Sequence, residues 1–241
     1  METHKPKQPV DGWREFLKEV GIIVLGVLIA LGAEQTVAKV REHTTSAETR
    51  SSVRSEIGAN LFLLSARAAS QVCIDHRLQE IGTILAGAGD GVPQPHATWV
   101  SRPEFWSLSS SNWQAATGAG RAALLSEDEQ RGFGSYYNVF EFLDREQEQE
   151  QVAWAQLRAL EDWQGPLGPT ARFGFTLALQ QARYSAYRIR AKSVSLLAEA
   201  RRDRIAIPAR RLVHSTAICL PISTTRAEAE RVDHSPLGDP R

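Results

Sequence analysis

From Val20 to Ala33 the chain reads Val-Gly-Ile-Ile-Val-Leu-Gly-Val-Leu-Ile-Ala-Leu-Gly-Ala, fourteen residues without a charge. Such a run must be hidden from water, inside a protein or inside a bilayer. A helix rises about 1.5 Å per residue, so the run covers about 21 Å of a hydrocarbon core about 30 Å thick. Its flanks lengthen it. Phe16 and Leu17 precede Lys18–Glu19, and Val37 and Val40 follow Glu34–Gln35. Lys18 and Lys39 can lay their methylene stems along the helix and keep their ammonium groups at the interface. Trp13 stands where an interfacial aromatic belongs. Phe16 to Val37 then spans about 33 Å, enough to cross.

Two other readings use the same residues. A signal peptide would end at the small residues Ala30-Leu-Gly32, but its leading region would carry Glu2, Asp11, Glu15 and Glu19. A buried helix of a soluble protein would show a polar stripe, and this one is apolar all round. The expectation is an uncleaved anchor, with Trp13, Phe16, Lys18, Val20, Gly26, Ala30, Ala33 and Lys39 as its marker residues. Gly26 and Ala30 make one small-xxx-small step that permits close helix approach, and so a homodimer. Lys5, Lys7, Arg14 and Lys18 precede the span, against Lys39, Arg41 and Arg50 after it. This excess, four against three, puts residues 1–15 in the cytoplasm and the bulk of the chain outside an inner membrane.

The segment Trp13-Arg-Glu-Phe-Leu-Lys-Glu-Val-Gly-Ile-Ile-Val-Leu-Gly-Val-Leu-Ile-Ala-Leu-Gly-Ala-Glu-Gln35 resembles the opening of a group of uncharacterised bacterial single-pass membrane proteins. Ser111-Asn-Trp113 through Tyr136–Tyr137 is similar to the middle region of that group. The resemblance implies a membrane location and an all-helical domain, and it brings no catalytic residues.

Beyond the span the periodicity is helical throughout, so the fold class is all-α: a transmembrane helix at 16–37, a stalk and small antiparallel bundle at 38–212, and an irregular or disordered tail at 213–241. Ile57, Leu61, Leu64, Ala68, Val72, Leu78, Ile81 and Leu85 trace one stripe. No proline interrupts from Val10 to Val92, and Gly58 is the candidate break. Gly87–Pro95 is a loop. Ser101-Arg-Pro-Glu104 has the shape of a capping box opening a short helix through Phe105, Trp106 and Leu108. Ser126-Glu-Asp-Glu129 opens a long helix to about Trp163, with Phe133, Tyr137, Phe140, Leu143, Gln147, Trp154 and Leu157 on its core face. Within it Arg145-Glu-Gln-Glu-Gln-Glu-Gln151 reads as a solvated face. After the Gly165–Pro169 break, Phe173, Leu177, Tyr184, Tyr187, Ala191, Val194 and Ala198 keep heptad-like spacing to about Ala206, where Pro208 stops the helix.

Lys plus Arg and Asp plus Glu are both 28, so overall charge points to no polyanion. Locally, ten acids face three bases in 127–162, and nine bases face two acids in 183–211. The expectation is that these segments face each other; nucleic acid is the disfavoured partner. Cys73 and Cys219 either bridge, in an oxidising compartment, or remain buried thiols.

The remaining motifs are thin. Cys73-Ile-Asp-His76 places a thiol and an imidazole one turn apart but lacks the further ligands zinc needs. Gly118-Ala-Gly-Arg-Ala-Ala123 matches a dinucleotide fingerprint in letters without a strand before it. Trp99, Trp106 and Trp113 are spaced by seven, with Pro103 interrupting. No catalytic or cofactor motif stands out. The expected function is a non-enzymatic helical domain tethered to the bilayer that binds a protein or envelope component. The alternative is a sensing module working with a partner subunit.

Overall fold

The computed structural model describes residues 12–88, 97–209 and 217–233, and they are all-helical, with no strand among them. Helix α1 runs Trp13–Ala69 and α2 Gln71–Gly87, separated by a turn at Ser70; α3 is Ser111–Gly118, α4 Glu127–Arg158, α5 Pro169–Arg202 and α6 Arg226–Asp233. The expected break at Gly58 is absent. That glycine serves a close approach instead, because a Cβ there would lie 2.2 Å from the Ala206 carbonyl oxygen.

Pairings along the helices give their directions. α1 meets α4 through Arg50–Glu129, Glu56–Tyr137 and Arg67–Glu150, rising together, so these two are parallel. α5 meets α4 through Tyr136–Asp203, Arg188–Glu146 and Trp163–Phe175, and meets α2 through the Arg183 bond to the Leu78 carbonyl; it runs antiparallel to both. The core forms around Ile57, Leu61, Leu64, Phe133, Phe140 and Leu143 toward the stalk end, and around Ile74, Ile81, Trp154, Leu157 and Leu179 at the far end.

Because α1–α2 and α4 rise together, the chain between them must descend. Residues 97–110 do so as an extended strap rather than the expected helix after Ser101. Ser101 is no N-cap; it has φ of 60° and its N–H donates to Glu161. Amide side chains clamp the strap's backbone. Gln147 accepts from the Trp106 N–H at 3.2 Å and donates to its carbonyl at 3.1 Å; Asn60 does the same to Ser109, at 2.9 and 2.7 Å. Gln151 donates to the Pro103 carbonyl. Glu56 then accepts from the N–H groups of Asn112 and Trp113, the Tyr137 hydroxyl and Ser109 Oγ.

The Arg145–Gln151 run is therefore not the solvated face expected of it. Glu146, Gln147 and Glu150 are buried. Glu150 accepts from Arg67 at 2.8 Å, and Arg67 also donates to Gln71. Arg67 and Gln71 occupy the core-facing positions that the apolar stripe assigned to Ala68 and Val72, and Val72 is exposed. Burial, outweighing the Arg67 charge, holds the Glu150 carboxyl above its ordinary range.

The capping box at Ser126 and Glu129 is present, and Glu129 also accepts from Arg50. α5 begins with Pro169 at its first turn. It ends at Arg202, earlier than Pro208, because Arg204 turns left-handed (φ 54°) and the Ile205 N–H returns to the Ala200 carbonyl. The described part of the expected irregular tail is ordered. Ala217 and Ile218 are buried, and α6 packs beside them through its own buried Ala229. Cys219 is bonded to Cys73 on α2, and the buried Arg77 donates to the carbonyls of Trp99, Val100 and Leu220. These bonds fasten the tail to the far end of the bundle. The expected loop at Gly87–Pro95 lies mostly outside the described residues, as do residues 1–11, 210–216 and 234–241.

Three outcomes follow. Replacing Glu150 alone by Leu should cost about 3–5 kcal/mol in denaturant unfolding, because it strands a buried guanidinium, whereas Arg67→Met with Glu150→Leu should restore most of that loss. Reducing the Cys73–Cys219 bridge, which closes a separation of 146 residues, should lower stability by up to about 4–5 kcal/mol, read by the same unfolding curves with and without reductant. The Arg50 guanidinium holds the Glu129 carboxyl at about 2 against an ordinary 4.5. Since the folded value lies below the unfolded one, its contribution is fully present above the ordinary value and is lost as pH falls toward 2. An acid titration of Glu129→Gln should show a weaker stability loss across that window than the parent.

Candidate functional site: an anchor and an outward helix face

Every residue from 15 to 44 of α1 is exposed, and none of its most apolar window is covered by protein. The residues expected to mark an anchor lie on this bare length or at its start. Trp13 and Phe16 stand at its start with tilted rings, centroids 6.1 Å apart, Lys18 and Val20 follow one turn on, and Ala33 and Lys39 lie toward its other end. Gly26 and Ala30 share one side, with open space beside Gly26. This helix is long and apolar enough to cross a membrane. Burial begins only at Thr49, about 18 Å beyond Val37 along the helix, so α1 runs as one helix from its bare apolar length into the bundle.

The second feature is the face of α5 that carries the heptad-like spacing. Phe173, Leu177, Tyr184, Tyr187 and Val194 on it face outward; Phe173 is 71% and Tyr187 67% exposed. The core face is built from Phe175, Leu179, Ile189 and Leu196, with the small residues Ala178, Ala182, Ala186 and Ala200 between them. These small side chains let α5 settle close to α2 and α4.

Bases flank this face on both sides. Toward α2, Arg172 and Arg183 donate to the carbonyls of Ala88 and Leu78, and Arg190 stands 3.7 Å from Asp75. Toward α4, Arg188 pairs with Glu146 at 2.8 Å and lies over Phe142, as does Lys192. The expectation that the acidic and basic segments face each other is thus met through Arg188 and Glu146; Arg190, Arg201 and Arg202 stay exposed. Between α2 and α5 lies an open groove of about 720 Å³, lined by Gln79, Gly82, Ala86, Phe173, Gln180 and Arg183. Gly82 leaves room for the Arg183 guanidinium, which lies 2.7 Å from where a Cβ would stand.

The other sequence candidates resolve into structural parts. Cys73 spends its sulfur on Cys219, so it offers no thiolate beside His76, and among the described residues no group of three His, Cys, Asp or Glu could hold a metal. Gly118–Ala123 runs from the last residue of α3 through a turn at Ala119 and Gly120, the latter left-handed at φ 69°, into a short 3-10 helix, Arg121–Leu124. The three indoles do not share a helix. Trp99 is buried and donates to the Ala217 carbonyl, Trp106 rides the strap, and Trp113 stacks on Tyr137 at 5.5 Å. Burial and the Glu56 carboxylate push the Tyr137 hydroxyl far above its ordinary range, which fits a structural donor.

Comparison with protein-family models, with curated proteins and with solved structures found no match to this chain. Because Tyr184 and Tyr187 carry no core packing, changing both to Ser should alter unfolding free energy by no more than about 0.5 kcal/mol, whereas Leu179→Ala on the opposite face should cost about 2–5 kcal/mol.

Proposed function

We propose that this chain is a non-catalytic helical domain, held to a bilayer by residues 16–37, that stands on the extracytoplasmic side and binds a protein or envelope component. The observation that carries the reading is the bare apolar length of α1, continuous with a bundle that needs none of it for its own core. A bilayer supplies the apolar surroundings that no part of the domain provides. Two observations favour the outer side: the basic excess before the span, and the Cys73–Cys219 bridge, a bond that persists in oxidising compartments. The buried carboxylates of Glu56 and Glu150 are spent on the strap and on Arg67, which supports a structural rather than a catalytic use of both.

The test is made in the native membrane. The full chain should resist alkaline extraction, keep residues 1–33 in its mature mass, and carry no free thiol when trapped with a maleimide reagent before lysis. Release of a chain beginning after Ala33 would make the segment a signal peptide. Two free thiols in an otherwise folded chain would put the bundle in the cytoplasm.

A further inference from the structure

We propose that the outward face of α5 is the docking surface of that binding function, and that its occupant is an acidic amphipathic helix of another protein. The proposal rests on the tethered binding role given above. Phe173, Leu177, Tyr184, Tyr187 and Val194, with Gln180, Ala191 and Ala198 between them, repeat at alternate steps of four and three along almost the whole of α5, and all are exposed. That is the spacing of a coiled-coil seam, which a partner helix fills with its own apolar row. A seam this long and this exposed, on a helix whose other side is fully packed, is not core that the bundle failed to cover.

Charge selects the partner. The α5 positions flanking the seam hold Arg183 and Arg190 on the α2 side and Arg188 on the α4 side, and no acid. From the neighbouring helices Glu146 pairs with Arg188 and Asp75 stands 3.7 Å from Arg190, so Arg183 is the flanking base whose partner is neutral, and the edge stays net positive. Arg183 spends a donor on a backbone carbonyl, which leaves its charge uncompensated by that bond. A second copy fits poorly. Two chains anchored in one membrane would pair their α5 helices in parallel, which sets Arg183 against the other copy's Arg188; an antiparallel pair also sets base against base. The chain's own bilayer is also out of reach, because α5 ends against Arg54, about 25 Å along α1 from Val37, and rises away from there. A helix with glutamates beside its apolar row satisfies both the seam and its flanks.

The probe is a synthetic peptide of four heptads with leucine at the seam positions and glutamate beside them, against an otherwise identical peptide with lysine in place of glutamate. Full-length protein in nanodiscs should bind the glutamate peptide in the micromolar range and the lysine peptide at least about tenfold more weakly, with binding that falls as salt is raised. Tyr184→Glu with Tyr187→Glu should abolish binding without lowering the melting temperature, since both rings are exposed. Arg183→Glu with Arg190→Glu, both exposed, should reverse the preference between the peptides.

Equal binding of both peptides, or of neither, overturns the proposal. So does a concentration-dependent dimer lost in the tyrosine double variant, which would make a second copy the occupant, or binding to anionic vesicles lost in the arginine double variant, which would make it a bilayer. A photo-crosslinker at Leu177 in cells should capture a partner, and one at the exposed Val152 of α4 should not. Capture at Val152 alone removes this surface and leaves the binding role intact. Turnover of a substrate by the purified chain would remove that role whatever the peptides do.

Discussion

The bundle depends on a charge pair buried in its middle. Arg67 and Glu150 lie almost completely out of water, and taking both there costs several kcal/mol per ion before their attraction returns any of it. The pair is tolerable in one arrangement only, with α1 and α4 parallel and in a single register, since a shift by one residue would leave both charges stranded. That register then sets the others. It brings Glu56 opposite Tyr137 and Arg50 opposite Glu129, and it places Gln147 and Asn60 where the descending strap needs partners. It also settles how much of α1 the bundle can cover, and so how much apolar helix is left bare.

The parallel run of α1 and α4 explains the strap. Two rising helices need a descending connection, and one that crosses buried surface without regular structure must find partners for its own N–H and C=O groups. Side-chain amides supply them in pairs at Trp106 and Ser109, in the manner of a neighbouring strand. The glutamine-rich run of α4 is therefore a built surface and not a low-complexity accident.

What could be read in advance follows from what periodicity detects. Large apolar residues facing a core at helical spacing are visible, and the α4 face from Phe133 to Leu157 lies where its pattern places it, as does the capping box at Ser126. A polar core layer is not visible to the same reasoning. Ala68 and Val72 stand beside Arg67 and Gln71 in the sequence, and an apolar criterion takes the wrong neighbour each time. On α5 the heptad row from Phe173 to Ala198 is the stronger periodic signal and lies on the outside, while the core face sets Phe175, Leu179, Ile189 and Leu196 among alanines and serines that allow close packing. The packing of the described part of the tail could not be seen at all, because it rests on the Cys73–Cys219 bridge and on Arg77 gathering carbonyls from two distant segments. The apolar length of α1 was legible because it depends on composition alone.

Three parts are joined: a length of α1 that none of the described bundle covers, a continuation of the same helix, and a bundle whose exposed apolar face on α5 lies away from that bare length. The central claim is that α1 crosses the bilayer bare, without a protein partner along its apolar length. Nitroxide labels placed singly from position 16 to 44 of the full chain in liposomes test this most directly, through their relative accessibility to oxygen and to a water-soluble relaxant. The account predicts a smooth depth profile with one maximum near Gly26 or Val27, no repeat of about 3.6 residues between 20 and 33, and full water exposure from about position 41. A helical repeat in accessibility across 20–33, or a maximum depth short of the bilayer centre, would contradict it.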